Sequence, residues 1–226
     1  MKQLSIRKKL IFSFLAMLLV PTLLIGIISY QSAEQQILKE QQASTAESIR
    51  MLNTNITNTI DPKIKDIQYF SKKLNKSYTQ VDKEPELKTL FREYINMHPE
   101  VELIYLGTAD GRLLDEPTQV YQDDFDLLTR PWYKQALENN DQVSITAPYI
   151  SQATGDIVIT ITQALPDSSG VIGLDLNIST LRTITNDIRI GKTGFASLLD
   201  SHQVYIADQK NESGSEATES YIKKNI

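Results

Sequence analysis

An uninterrupted apolar segment near the N-terminus limits most strongly what this chain can fold into. Residues 10–30 are 21 residues without a charged side chain, and a helix of that length spans the hydrocarbon core of a bilayer. The nine residues before it, MKQLSIRKK, carry four positive charges and no negative charge. Because basic flanking residues stay on the cytoplasmic side, we predict a cytoplasmic N-terminus at 1–9, a transmembrane helix at 10–30 and an extracellular remainder.

A cleaved secretory signal is the alternative interpretation of the same segment. The apolar region of such a signal is usually about 7 to 15 residues long and ends in a cleavage site of small residues. The segment here is longer, and ISYQSA has large residues where small ones are needed. The pattern favours a retained membrane anchor, and Pro21 does not argue against it because membrane helices tolerate proline.

Charge and composition exclude several classes of function. Residues 10–226 carry 19 basic and 28 acidic side chains, a net charge of −9. An acidic surface argues against nucleic acid and against an anionic lipid surface as partners. The chain has no cysteine, which excludes disulfides, thiolate catalysis and cysteine-ligated metal sites. These properties suit a solvated extracellular domain.

A long polar segment at 31–75 follows the apolar run, and its few apolar residues recur at gaps of three and four. This spacing predicts a long helix with one apolar stripe. The stripe can pair with a second copy of the chain or pack on its own domain, and both interpretations stay open. Asp61-Pro62 predicts a kink or a helix restart. The stripe comprises Ile49, Leu52, Ile56, Ile60, Ile64 or Ile67, and Leu74.

Residues 76–190 carry the signals of a domain that mixes helices and strands. Tight turns separate its β-rich segments, and two stretches have helical spacing. We therefore predict an α+β fold with an antiparallel sheet and helices on one side of it. Residues 191–226 read as the start of a second module, with strands at 195–199 and 203–207. The elements of the first module are a helix at 86–97, a strand at 101–106, a turn at 110–111 with a return strand, a short helix from Pro131, strands on both sides of the turn at 154–155, a strand after the turn at 168–170, and the helical segment TLRTITNDIRI.

Motifs for catalysis or metal binding are weak throughout. GKT at 191–193 lacks the earlier glycine of a phosphate-binding loop, and His98 and His202 each stand without a second ligand at metal spacing. The acidic run DDFD, with Asp123, Asp124 and Asp126, lacks the glycine and distal glutamate of a calcium loop. We expect no metal, no cofactor and no enzymatic activity. A membrane-tethered hydrolase that uses the acidic run is the alternative from another class.

The only tryptophan lies in TRPWYKQALENN, residues 129–140. One interpretation is that Trp132 and Tyr133 fill a core where a helix begins at Pro131. The other is that they line a pocket together with Arg130.

Two polar residues on later strands, Tyr149 and Asp175, extend the pocket interpretation. If all five side chains face one side of the sheet, the pocket complements a small zwitterion. An arginine fork binds a carboxylate in bidentate fashion, and an aspartate beside an aromatic face binds an ammonium group. The five residues are Arg130, Trp132, Tyr133, Tyr149 and Asp175.

These segments, in this order, resemble the double Cache family of extracellular sensor domains, and more closely those of Bacillus-type methyl-accepting chemotaxis receptors. The matching features are the basic N-terminus with a single span, the long helix, DFDLLTRPWYKQALEN, ITAPYISQATGDIVITITQAL, GVIGLDLNIS and IGKTGFASLLD. The resemblance implies a PAS-like Cache module at 76–190, preceded by the transmembrane helix and the long helix and followed by an incomplete second Cache module at 191–226.

The resemblance also implies a function and partners. It predicts a ligand-sensing domain for chemotaxis that acts as a homodimer through the long helix and signals to a cytoplasmic region absent from this chain. Sensor histidine kinases and cyclic-dinucleotide enzymes carry the same kind of ectodomain, so they remain alternatives.

Ligand contacts follow from the resemblance residue by residue. In amino-acid-binding members an arginine and a tryptophan, here Arg130 and Trp132, hold the carboxylate, and an aspartate and tyrosines, here Asp175, Tyr133 and Tyr149, hold the amine. Two positions depart from the pattern: Ser151 stands where an acidic residue is common, and Phe125 where a tyrosine is expected. The predicted ligand is therefore an amino acid or a small organic acid.

Overall fold

The structure is a computed structural model that describes residues 6–139, 142–190, 194–200 and 202–217. It divides into two compact units, residues 1–48 and 49–226. The first unit is formed by helix α1, Ile6–Lys73, which continues into the second. Every described side chain up to residue 30 is exposed. By length and composition, α1 contains a candidate membrane span. The apolar run at 10–30 predicts such a span.

Helix α1 is assigned as one uninterrupted helix, so the restart predicted at Asp61-Pro62 does not occur. Pro62 is exposed, whereas Ile60 and Ile64, two residues to either side of it, pack against the hydrophobic cluster of the domain. Because tertiary packing holds the chain before and after the proline, the helix persists despite the lost hydrogen bond.

The apolar stripe of α1 packs on its own domain. Leu52, Ile67 and Leu74 are buried, and only Ile49 at the lower end is more than half exposed, at 55%. Ile67 and Leu74 join Phe70 in the main hydrophobic cluster. Of the two open interpretations of the stripe, packing within the chain is confirmed between residues 52 and 74.

The second unit is built around an antiparallel sheet with the strand order β2-β1-β6-β5-β3, in which β4 also pairs with the outer edge of β5. The α+β fold with an antiparallel sheet is therefore confirmed. The elements are α2 Glu84–Met97, β1 Val101–Thr108, β2 Leu113–Glu116, α3 Pro131–Glu138, β3 Ser144–Ile145, β4 Tyr149–Ile150, β5 Ile157–Ala164, β6 Gly170–Asn177 and α4 Ile178–Asn186, with short 3-10 helices at Lys76–Thr79, Val81–Lys83 and Leu127–Thr129.

Helices cover both faces of the sheet, so the prediction of helices on one side only is wrong. Ile104 and Leu106 of β1 pack with α1 and α2 in the larger cluster. Leu103 and Tyr105 pack with Trp132 of α3 in a second cluster on the opposite face. The cause is the two-residue alternation of a strand: β1 is apolar at both sets of positions, and each set needs its own cover.

The region after α4 contains short strand pairs. β7 Arg189–Ile190 pairs with β8 Gly194–Phe195, and β9 Leu198–Leu199 pairs with β10 Tyr205–Ala207. The strand predicted at 195–199 is therefore divided between β8 and β9. The GKT motif at 191–193 lies outside the described residues, as do positions 201 and 218–226. That residues 191–226 open a second module stays a prediction.

Candidate ligand-binding site

A small cavity that is partly open to solvent lies on the α3 face of the sheet. Six of the seven site residues predicted from the sequence line it: Phe125, Arg130, Trp132, Tyr149, Ser151 and Asp175. The other lining residues are Leu103, Tyr105, Leu113, Tyr121, Gln152 and Ala153.

Trp132 is both a core residue and a wall of the cavity. It is only 4% exposed, and its indole packs directly on the backbone at Gly107, where an added Cβ would lie 2.6 Å from Cη2. Its ring centroid is 4.7 Å from that of Tyr105. Both interpretations of the lone tryptophan therefore hold, because one face of a large ring can pack while another borders the cavity.

Tyr133 is the predicted site residue that does not line the cavity within the described part of the chain. It is buried in the same cluster as Trp132 and meets the indole edge-on, with ring centroids 5.4 Å apart. Burial, and to a smaller extent the charge of Asp110, raises the pKa of its phenol. Tyr133 therefore supports Trp132, and the structure gives it no place in the cavity wall.

Arg130 brings the positive charge of the site. It is the N-cap residue of α3, directly before Pro131 at the first helical position, and its guanidinium lies 5.9 Å from the ring centroid of Tyr149. It is half-buried. Among the described residues, no carboxylate pairs with its side chain. Its five N–H donors are thus available to a ligand.

Asp175 brings the negative charge, and it is almost fully buried at 3% exposure. Its Oδ1 accepts hydrogen bonds from the hydroxyl groups of Thr160 at 2.6 Å and Tyr105 at 2.7 Å. Burial, and to a smaller extent the charge of Glu102, raises its pKa to about 7, although the two hydroxyl donors and Arg130 act in the opposite direction. Near neutral pH this carboxyl group is therefore close to its titration midpoint.

Tyr105 and Thr160 contact Asp175 in the candidate site, and the sequence interpretation missed both. In the sheet, Thr160 of β5 lies opposite Asp175 of β6, and Tyr105 of β1 lies opposite Gly173. An added Cβ at Gly173 would lie 2.6 Å from the Tyr105 ring, so this glycine gives the phenol room to reach Asp175. The two-residue alternation of β1 indicates which face of the sheet Tyr105 lies on. Only the register between the strands places it beside Asp175.

The two positions that depart from the family pattern have local partners. Ser151 is buried, and its Oγ accepts a hydrogen bond from the N–H of Ala153 at 3.2 Å. Phe125 stacks on Tyr121, with ring centroids 4.3 Å apart, and the Tyr121 hydroxyl donates to Asp115 at 2.8 Å. A phenol absent from position 125 is thus present in the cavity wall at Tyr121, in a loop where no sequence pattern indicated it.

Known proteins resemble this chain over most of its length. The dCache_1 family model, a Cache domain, matches residues 29–225. The methyl-accepting chemotaxis protein McpB of Bacillus subtilis (strain 168) is 32% identical, over 99% of this chain and 34% of that protein. The methyl-accepting chemotaxis protein TlpB of the same strain is 38% identical, over 91% of this chain and 31% of that protein. The chain spans about a third of the length of these curated relatives.

Solved structures with the same fold were determined with amino acids bound. The ligand-binding domain of the Pseudomonas fluorescens chemoreceptor CtaA in complex with L-serine has a TM-score of 0.61 and 27% identity, and the match covers 71% of this chain and 69% of that one. The ligand-binding domain of the Pseudomonas aeruginosa PAO1 amino acid chemoreceptor PctB in complex with L-Arg has a TM-score of 0.63 and 26% identity, covering 73% and 64%.

Proposed function

Because this chain belongs to the Cache domain family, we propose that it is the extracellular sensor region of a membrane chemoreceptor, and that its cavity binds a small amino acid. The relatives that are methyl-accepting chemotaxis proteins and the chemoreceptor domains with bound amino acids support this proposal.

The observation that carries the proposal is the pair of opposite charges in the cavity wall. Arg130 has no carboxylate partner among the described residues, and Asp175 is buried beside hydroxyl donors alone. A zwitterion compensates both charges at once, whereas a plain carboxylic acid leaves Asp175 without a cation. Hydrogen bonds to charged groups contribute about 1.5 to 3 kcal/mol each. Three or four of them, less the cost of immobilising the ligand, correspond to a dissociation constant of about 1 μM.

The remaining wall indicates the kind of amino acid. Leu103, Leu113, Phe125 and Ala153 present apolar surface. Of the residues that the structure describes, Arg130 and Asp175 are the only charged ones that line the cavity. A charged ligand side chain would therefore find no partner of its own there. We infer a preference for small or medium apolar amino acids. Organic acids, the other predicted class, remain as an outcome of the test.

Signal output and dimerisation are part of the same proposal. Ligand binding would favour one of two arrangements of the sensor, and α1 would pass the change on as a shift of about 1 to 2 Å. Between residues 52 and 74, a homodimer through α1 would have to use the face that the domain leaves uncovered, since that part of the stripe packs inside the chain. Met51 and Tyr69 are the large exposed apolar side chains of that face.

We propose no catalytic role for the acidic run. Asp123 and Asp124 are exposed, and Asp126 accepts a hydrogen bond from the N–H of Leu128 as the cap of a 3-10 turn. This capping gives Asp126 a structural role, and the relatives named above are chemotaxis proteins.

Calorimetric titration tests the proposal directly. The full chain in lipid nanodiscs is titrated with each of the twenty standard amino acids and with propionate, alongside Arg130→Ala and Asp175→Asn. Arg182→Ala is the matched control, since Arg182 is exposed on α4 and does not line the cavity. We expect an apolar amino acid to bind, both site variants to lose it, and the control to keep it.

Other results would change the conclusion. If propionate bound to the wild type and equally well to Asp175→Asn, the ligand class would be organic acids and not amino acids. If no compound bound, or if binding survived Arg130→Ala, the cavity would not be the ligand site.

A further inference from the structure

We propose that the Asp175 end of the cavity only accepts hydrogen bonds, because Thr160 and Tyr105 fix the direction of every hydroxyl hydrogen there. The cavity would then select ligands with a primary ammonium group over their N-methylated and deaminated relatives. This inference deepens the proposed function and rests on it, since both concern the same cavity.

The direction of the hydrogens follows from three contacts. In its ionised form, which predominates above a pKa of about 7, the Asp175 carboxylate can only accept hydrogen bonds, so Thr160 and Tyr105 then both donate to Oδ1 of Asp175, at 2.6 and 2.7 Å. The hydroxyl oxygens of Thr160 and Tyr149 are 2.7 Å apart. Because the single hydrogen of Thr160 already points at Asp175, Tyr149 must be the donor of that bond. All three hydroxyl hydrogens are thus used inside the network.

Only acceptors remain for a ligand at this end. Tyr105, Tyr149 and Asp175 all line the cavity, and each phenol oxygen keeps its lone pairs after donating. Oδ2 of Asp175 accepts no hydrogen bond from the residues that the structure describes. An ammonium group brings three N–H donors to these three oxygens, together with the charge that compensates the carboxylate. An N-methyl group removes one donor, and a ligand without nitrogen removes all of them, which leaves buried acceptors unpaired.

The two positioning residues are held firmly. Thr160 is fully buried on β5, and its backbone N–H donates to Oγ1 of Thr146 at 2.9 Å. Tyr105 is held between the backbone at Gly173 and the indole of Trp132. Neither side chain needs to change rotamer for the network to form, so the acceptor array is pre-organised before a ligand arrives.

The test compares ligands that differ at nitrogen alone. At pH 8, where Asp175 is mostly ionised, the full chain in nanodiscs is titrated with L-alanine and N-methyl-L-alanine, with L-leucine and N-methyl-L-leucine, and with propionate. We expect the primary amines to bind about tenfold more tightly than their N-methyl forms, because each N-methyl form lacks one charge-assisted hydrogen bond. Propionate should bind more weakly still.

Three variants on β5 separate positioning from structure. Thr160→Val removes the hydroxyl group at nearly constant side-chain shape, so the hydroxyl hydrogen of Tyr149 becomes free to point at the ligand. We expect the affinity for primary amines to fall about tenfold. The difference in affinity between primary and N-methylated amines should become smaller. Thr160→Ser restores the hydroxyl and should restore the discrimination. Thr162→Val is the control, because Thr162 is equally buried on the same strand but donates to the backbone oxygen of Ile172.

The outcomes distinguish this inference from the proposed function. Equal binding of the methylated and primary amines, or discrimination that survives Thr160→Val, would overturn the inference while amino acid binding stood. A loss of discrimination in Thr162→Val as well would show that the effect is structural and would also overturn it. If none of the twenty standard amino acids bound, the proposed function and the inference would both be wrong.

Discussion

Lys63 of helix α1 places its ammonium group 2.6 Å from the carboxylate of Glu100, the residue directly before strand β1. The same nitrogen lies 2.6 Å from Nδ1 of His98, and the Lys63 side chain is only 3% exposed. Strand β1 carries Leu103 and Tyr105 into the cavity wall. This buried ion pair therefore joins the long helix to the strand that borders the cavity.

Replacing Lys63 should destabilise the domain. In Lys63→Met the carboxylates of Glu100 and Asp66, whose side chains are each 30% exposed, lose their buried cation, and losing hydrogen bonds to these charged, partly solvated groups costs about 1 to 3 kcal/mol. The neighbouring Lys65→Met is the matched control, because Lys65 is exposed on the same helix. Thermal unfolding, followed by the fluorescence of Trp132, should show a fall in melting temperature of about 2 to 12 °C for Lys63→Met and little change for the control. Equal melting temperatures would remove this ion pair from the account of stability.

The stability of the ligand-free protein should fall as pH rises through the range in which Asp175 titrates. The native pKa is about 7 against an ordinary value of 3.8, so the folded state binds more protons than the unfolded state between these values. Stability is therefore greatest at low pH, where Asp175 is protonated in both states. It falls as pH rises from 3.8, where the carboxyl group of the unfolded chain ionises, to about 7, where that of the folded chain ionises. At pH 8 the free energy of unfolding of Asp175→Asn should therefore exceed that of the wild type by on the order of 4 kcal/mol, and at pH 4 the two should be about equally stable.

Asp124→Asn controls for the general effect of removing a negative charge, since Asp124 is exposed in the loop before α3. It should leave the difference between pH 4 and pH 8 unchanged. A variant at Asp175 that was no more stable than the wild type at pH 8 would mean that the carboxyl group is well solvated.

Binding of an amino acid should change with pH in the opposite direction. A proton on Asp175 competes with the ligand ammonium group, so affinity should rise about tenfold between pH 6 and pH 8 as the carboxylate forms. Burial is the main cause of the raised pKa of Asp175 and the charge of Glu102 adds to it, so Glu102→Gln should move the midpoint of this rise somewhat to lower pH. Titration calorimetry across that range measures both effects, and a flat profile would contradict them.

The sequence predicted the fold and six of the cavity residues by two different routes. The α+β order followed from periodicity and turn residues, and the turns at Gly111 and Gly155 do have the positive φ that favours glycine. Arg130, Trp132, Tyr149 and Asp175 followed from their chemistry and from the family pattern. Local patterns are sufficient for such features because each depends on neighbours within a few residues.

The features that the sequence did not indicate all depend on contacts between distant parts of the chain. Thr160 and Tyr105 join Asp175 only through the register of β5, β6 and β1. The continuous helix through Pro62 depends on packing against the domain. Tyr133 had the right residue type at the right spacing, yet its place on α3 turns it to the side of Trp132. Tertiary context decided each of these cases.

The uncovered face of α1 should be where two copies of the chain meet. The chain has no cysteine, so a single introduced cysteine can form a disulfide only with a second copy. Met51→Cys and Tyr69→Cys place a thiol on the exposed face, whereas Ile67→Cys places it in the fully buried stripe. In nanodiscs under mild oxidation we expect crosslinked dimers from the first two variants and none from the third. A ligand that shifts α1 should change the crosslinking rate at Met51 or Tyr69, because the rate depends on the distance between the two sulfur atoms. If only Ile67→Cys gave crosslinked dimers, the stripe would leave its own domain to pair with a second copy. If amino acids left the crosslinking rates at Met51 and Tyr69 unchanged, dimerisation would not be coupled to ligand sensing.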